Sequence, residues 1–303
     1  MNNLTYFEDL KKHKLRGVKF IDDFAINFSF KKSELLKIQE LIFKLINNNE
    51  KYKKFKNYND VIKYLNKTNF YHLNRDLDLM VDLEKIVINS FKKRGILTNY
   101  IKGIEFPIGI RIVHPNSPKQ LKNKLQTTAI HCDPWAGEPI DMINVVSYIH
   151  VPKLSSKLNI FKTTKKNILK NSKLNKFYKS RFFIHSKYYN SEISKFSNKQ
   201  SIQLNHKNGE IFLFNGFVPH NTIRNGSDVR ISLEFRFRTK FPYNDLSRFL
   251  AKINRRGRYW LMPNENIKSF NHRLEDELEN LSKNKRFKKI KTLRKKELNL
   301  FNV

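Results

Sequence analysis

The chain has 303 residues, 39% of them hydrophobic, which suffices for a buried core, and a single cysteine, Cys132, which excludes an internal disulfide framework. Its formal charge of +33, from 60 Lys+Arg against 27 Asp+Glu, invites a nucleic-acid or anionic-surface reading, but lysine and asparagine are spread through the whole chain and favour a compositional bias over a binding patch. No window approaches the ~18 uninterrupted apolar residues of a membrane span, and the start at Met1 lacks the apolar stretch of a signal peptide, so a soluble protein of a reducing, cytoplasmic compartment is expected.

Residues 1–102 read as helical. Ser33 is placed to cap a helix in which Leu35, Ile38, Leu41, Ile42 and Leu45 recur at helical spacing. A second pattern from Asp76, with Leu77, Met80, Leu83, Val87 and Phe91, runs to Gly95, a natural helix terminator. The period then changes from 3.6 to 2. Ile104, Phe106, Ile108, Ile110 and Ile112 alternate with Glu105, Pro107, Gly109, Arg111 and Val113, as one half-buried strand would. Gln126 to Ile130 reads as a short strand and Met142 to Ile149 as a more fully buried one. The lysine- and asparagine-rich stretch 153–207, with short apolar runs such as Phe182-Phe183-Ile184, reads as a polar insertion or lid. Alternation returns at Gly209–Phe214 and Asp228–Phe237. The remainder, 241–303, is expected to be a helical region with Leu274, Leu278 and Leu281, ending in a basic tail over Lys283–Lys296.

Helices followed by many short strands predict one domain, mainly β with flanking helices, its β core spanning 103–240 as a barrel or sandwich. No G-x-G-x-x-G or G-x-x-x-x-G-K phosphate loop is present. The chemistry concentrates instead in His131-Cys132-Asp133 and His220. Residues two apart on an extended segment point to one side, so His131 and Asp133 can hold one metal with Cys132 turned away. His220 would arrive from a separate strand, behind the stiff approach Gly216-Phe217-Val218-Pro219. Two imidazoles and one carboxylate suit one face of an octahedral iron(II) ion, Fe(II), with the other face open; a closed structural zinc site would draw on more cysteine. Beyond them, Arg230, Ser232, Glu234 and Arg236 share one strand face and Val229, Ile231, Leu233, Phe235 and Phe237 the other. If the polar face lines the interior, Arg230 needs an anionic partner there, and a ligand carboxylate would serve, with Ser232 as a second donor.

In these motifs the sequence resembles the iron(II)- and 2-oxoglutarate-dependent dioxygenases, and within them the phytanoyl-CoA hydroxylase-like group. His131, Asp133 and His220 are similar to the family's H-x-D…H metal triad, and Arg230-Ile231-Ser232 to its R-x-S co-substrate signature. After His220 the run Asn221-Thr222-Ile223-Arg224-Asn225-Gly226 departs from the phytanoyl pattern by lacking its serine-glycine step. The resemblance covers about 104–238 and implies a double-stranded β-helix (jelly-roll) core, Fe(II) as the metal, 2-oxoglutarate as co-substrate and dioxygen as oxidant. It further implies hydroxylation of a small molecule such as a sugar derivative, an amino acid or a secondary metabolite, anionic members included; the carboxylate ligand Asp133 speaks against halogenation.

Two rival readings accompany this one. Arg230-Ile-Ser-Leu-Glu-Phe-Arg236 also resembles the R-x-N-x-T-x-R run of AlkB-like nucleic-acid dealkylases, although Ser232 and Glu234 stand where Asn and Thr belong. A basic nucleic-acid-binding module without catalysis is the other, and it would show steep salt dependence indifferent to chelators. Asn144 is a candidate to touch the co-substrate or orient a ligand, Trp135 to wall the pocket, and Arg111 to pair with a substrate anion or a surface acid. His114, His150 and His206 lack a partner at ligand spacing and are read as structural.

Overall fold

The computed structural model describes residues 6–47, 55–67, 77–106, 108–113, 130–133, 142–162, 201–202, 204, 206–223, 227–239, 259–261 and 267–269. The expected strand at Gln126–Ile130 apart from Ile130, Trp135, His114, the run at 182–184, the C-terminal leucines and the basic tail all lie outside these residues.

Four helices are described: α1 (Tyr6–Leu10), α2 (Lys32–Asn47), α3 (Tyr58–Lys67) and α4 (Leu77–Lys93). Within α2, Ile38, Ile42, Leu45 and Ile46 are buried, as an amphipathic stripe requires. Its cap differs from expectation. Leu35 N donates to Lys31 O, and Glu34 Oε2 accepts from Lys31 N at 2.9 Å, the return half of a capping box; Ser33 lies inside the first turn. The acid three residues on outcompetes the serine because it reaches back to the orphaned N–H. The α4 stripe ends at Gly95, whose φ of +74° lets the chain reverse while Ile96 N bonds to Phe91 O.

The strands form two antiparallel sheets. The larger has the order β1 (Lys19–Asp22), β2 (Ala25–Ser29), β8 (Glu210–Asn215), β5 (Met142–His150), β10 (Arg230–Thr239), β3 (Ile101–Phe106), β11 (Tyr259–Leu261), β12 (Ile267–Ser269), and β4 (Gly109–Val113) also pairs with β10. The smaller is β7 (Ser201–Ile202), β6 (Lys157–Phe161), β9 (His220–Ile223). The protein is thus mainly antiparallel β with helices laid on one face.

Four elements depart from the sequence reading. The strand expected over 104–113 is instead two strands, β3 ending at Phe106 and β4 beginning at Gly109, which pair with successive halves of the same edge of β10. At the restart, a Cβ on Gly109 would come within 2.8 Å of Glu234 O, so only glycine permits this approach. The hairpin β1–β2 lies in the region expected to be purely helical; its turn is closed by Asp22 Oδ1 accepting from Phe24 N at 2.6 Å, and β2 extends the sheet along β8. Part of the expected polar insertion is core, since Leu158, Ile160 and Phe161 of β6 are buried. β11 and β12 fall in the region 241–303 expected to be helical.

Helices cover the outer face of the large sheet. The apolar side of β10 meets α4, with the Phe91 ring 5.9 Å from Phe235 and 5.6 Å from Phe237, while Phe28 of β2 packs on Phe91 from the other side. The inner face meets the small sheet: Tyr148 Oη accepts from Leu158 N at 3.1 Å, and the Phe214 ring lies 4.9 Å from that of His220. His206 packs its ring against Tyr148 and Phe212 at 5.0 and 5.7 Å. Burial depresses its pKa to about 4, so it folds in as the neutral imidazole. A depressed histidine contributes stability that is complete above its unfolded value of ~6.5 and is lost as pH falls toward 4. Denaturant melts between pH 7 and 4 should show a loss of up to about 3 kcal/mol that His206→Phe flattens over that window.

Candidate metal centre

The segment 130–133 is threaded against the turn that precedes β9. His131 and His220 form an isolated antiparallel bridge, each N–H donating to the other's carbonyl at 2.9 Å, and Asp133 N donates to Gly216 O at 3.1 Å. The turn holds itself: Asn215 Oδ1 accepts from Phe217 N at 2.9 Å, Val218 N donates to Asn215 O at 2.8 Å, and Pro219 O receives Phe161 N from β6. Backbone pairing therefore brings two stretches distant in the chain into register, with β6 bracing the far side of β9.

The side chains follow the two-residue period. His131 and Asp133 point inward and Cys132 outward, its Sγ donating to Phe217 O at 3.2 Å. Burial, and then Asp133, push the Cys132 thiol up, so it stays a neutral thiol and no ligand. His131 Nε2 and His220 Nε2 each lie 3.6 Å from Asp133 Oδ1, the rings are 4.4 Å apart between centroids, and the three donor atoms fall within 4.8 Å of one another. His220 Nδ1 lies 2.9 Å from Val218 O; a carbonyl only accepts, so this nitrogen carries a proton and Nε2 is the one turned toward Asp133.

This donor set fits a divalent first-row metal. Two ligands at ~2.1 Å from one ion and at a right angle lie ~3 Å apart, and the observed 3.6 Å separations are a small closure from that. Burial alone would raise the Asp133 pKa, but His220, Arg236 and His131, with a smaller contribution from the Asn144 amide, outweigh it and hold the carboxyl well below the usual range. Asp133 is divided by function: Oδ1 faces the imidazoles, while Oδ2 faces Arg236 Nη2 at 3.6 Å. Arg236 in turn donates from Nη1 to Glu105 Oε2 at 3.1 Å. The carboxylate is thereby oriented to offer one oxygen.

β10 carries the rest of the interior. Arg230 is only 2% exposed; its Nη1 donates to Ser156 O at 3.2 Å, its guanidinium lies 5.4 Å from the Tyr148 ring centroid, and its buried Nε has no hydrogen-bond partner. Glu234 Oε1 stands 3.5 Å from Arg230 Nη2. Ser232, expected to donate to a ligand, gives its hydroxyl to Glu234 Oε1 at 3.1 Å. Arg111, a candidate to pair with a substrate anion or a surface acid, pairs here with Glu234 Oε2 at 2.8 Å. Asn144 is buried on β5, opposite Arg236 on β10 and Phe214 on β8, and so shares the inner face with Asp133 and Arg236. His150 packs on Tyr58, and His206 lies on Tyr148; neither belongs to the triad.

Three contributors were passed over in the sequence. Tyr148 sits in an apolar run that reads as plain core, Ser156 contributes only a carbonyl, and Glu105 belongs to a strand whose pairing with β10 no local pattern announces. Glu234 did carry a signal, since it is the lone acid on the basic face of β10.

No protein-family model and no curated protein matches the chain. Among solved structures it is similar to an N-substituted L-amino acid dioxygenase from Burkholderia ambifaria AMMD, with 12% identity over 72% of this chain and 84% of that one and a TM-score of 0.37. That dioxygenase in complex with alpha-KG gives 10% identity over 70% and 81%, with a TM-score of 0.34. At such values the reading of the site rests on its own geometry.

Proposed function

We propose that the chain is an iron(II)- and 2-oxoglutarate-dependent oxygenase that hydroxylates a small molecule within a double-stranded β-helix core. One observation carries this reading: two imidazole nitrogens and one carboxylate oxygen converge inside the protein, and an under-satisfied buried guanidinium lies in the same interior. His131, Asp133 and His220 would hold the metal. Arg230 would receive the distal carboxylate of the keto acid, over Tyr148, with its partnerless Nε as the waiting donor. When bound, iron and 2-oxoglutarate supply the activation of dioxygen for attack on a C–H bond. The protein's own contribution is orientation and dryness: Arg236 and Asn144 fix Asp133, Val218 fixes the tautomer of His220, and Phe214 shields that ring from one side. The Asp133 ligand favours hydroxylation over halogenation.

The test is to purify the protein without oxygen, add iron(II) and 2-oxoglutarate, and measure bound iron and the slow succinate formation that occurs without substrate. One iron per chain and succinate released on admitting oxygen are expected. Uptake of neither would end this reading. A panel of amino acids, sugar derivatives and methylated DNA then ranks substrates, with the small molecules expected to stimulate turnover.

A further inference from the structure

The anion that a buried Arg230 requires is already present in the chain. Glu234, four residues further along the same strand face, lies between two arginines and a hydroxyl, and its contacts are unequal. Oε2 makes a short charge-assisted hydrogen bond to Arg111 Nη1 at 2.8 Å, whereas Oε1 receives Ser232 at 3.1 Å and stands off Arg230 Nη2 at 3.5 Å, longer than the ~2.7–2.9 Å of a good ionic hydrogen bond. Burial would raise the Glu234 pKa, but Arg111 and then Arg230 hold it down, so the group stays ionised. Arg230 is left with a neutral carbonyl on Nη1, a distant carboxylate at Nη2 and nothing on Nε.

Resting on the reading of Arg230 given above, we propose that Glu234 is a specificity-determining residue, a tethered carboxylate that competes with the co-substrate for Arg230, and that Arg111 is the positioning residue that holds it off. A carboxylate arriving at Arg230 meets the like charge of Glu234 a few ångströms away, in a setting where water screens poorly. Arg111 reduces that repulsion twice over. It neutralises Glu234, and it anchors Oε2 so that the acid cannot close the remaining gap to Arg230. Arg111 comes from β4, in register with Ser232, so the pairing of β4 with β10 is what delivers the guanidinium to this spot.

The sign of the effects separates this role from a supporting one. Titrations of 2-oxoglutarate into the anaerobic iron(II)-loaded protein, followed by calorimetry, should show about tenfold tighter binding for Glu234→Gln and about tenfold weaker binding for Arg111→Met, with Arg111→Lys recovering most of the loss. In the double variant the Arg111 penalty should vanish, because the charge it masks is gone. 2-Oxobutanoate, which lacks the distal carboxylate, should bind all variants alike. Weaker 2-oxoglutarate binding by Glu234→Gln would overturn the proposal by showing that Glu234 supports Arg230. Equal losses for both keto acids in Arg111→Met would overturn it as a general packing defect, and a melting temperature for each variant identifies misfolding as its source. Either result leaves the oxygenase reading intact, whereas a wild type that binds no 2-oxoglutarate sinks both.

Discussion

Asp133→Ala is expected to abolish iron binding while leaving the fold standing. The carboxylate is the sole anionic donor of the triad, so its loss leaves two neutral imidazoles and removes the charge that makes a divalent cation welcome in a buried, arginine-lined interior. Loss of a residue that only hydrogen-bonds a metal ligand costs about 10–100-fold in metal affinity, and loss of this ligand itself should exceed about a hundredfold. The measurement is iron content after anaerobic loading and desalting, near one per chain in the wild type and near zero in the variant. Fold integrity is expected because Asp133 is anchored through its backbone N–H to Gly216 O, and the bridge between His131 and His220 is also made by the backbone. The side chain does open one liability: Arg236 loses a carboxylate neighbour, but Glu105 Oε2 at 3.1 Å still pairs it. Asp133→Asn, which keeps the shape and removes the charge, should retain the melting temperature and still bind iron poorly. Retention of full iron content by Asp133→Ala would show that the triad is a structural polar cluster.

What the sequence disclosed about this centre follows from short-range geometry. The inward pairing of His131 with Asp133 and the outward turn of Cys132 are consequences of the strand period, which operates over three residues and needs no knowledge of the fold. The two faces of β10 were equally legible, since Arg, Ser, Glu and Arg alternate with Ile, Leu, Phe and Phe without interruption. Legibility failed wherever a partner came from far away. Arg111 and Glu234 are 123 residues apart in the chain and meet because β4 pairs with β10, a register set by tertiary packing. β6 was hidden because Lys157-Leu-Asn-Ile-Phe161 is only five residues long and stands in lysine- and asparagine-rich surroundings, so its burial against β9 outweighs a composition that reads as loop. Ser232 was legible in part. Its face was read correctly, but a hydroxyl bonds to the nearest strong acceptor, and Glu234 on the same face supplies one.

Arg230→Ala is expected to weaken 2-oxoglutarate far more than iron. The guanidinium is separated from the triad by function: it touches Ser156, Tyr148 and Glu234, and its salt-bridge partner is Glu234 and not Asp133. A bidentate pair between a desolvated arginine and a carboxylate is among the strongest polar contacts a protein makes, and breaking a buried pair by removing one partner costs about 3–5 kcal/mol, or roughly two to three and a half decades in affinity. Part of that cost should be recovered in the variant, because Glu234 stays neutralised by Arg111 at 2.8 Å and is not left as a buried lone charge. The expected result is therefore about a hundredfold rise in the dissociation constant for 2-oxoglutarate, with iron content unchanged and 2-oxobutanoate binding nearly so. Arg230→Lys should recover little, since an ammonium lacks the fork that engages two oxygens and the flat surface that lies over Tyr148. Equal loss of iron and keto acid would mean that the variant has collapsed the interior. Unchanged keto acid binding would instead move the co-substrate pocket elsewhere on the inner face, with Arg236 or Arg238 as the next guanidiniums to replace.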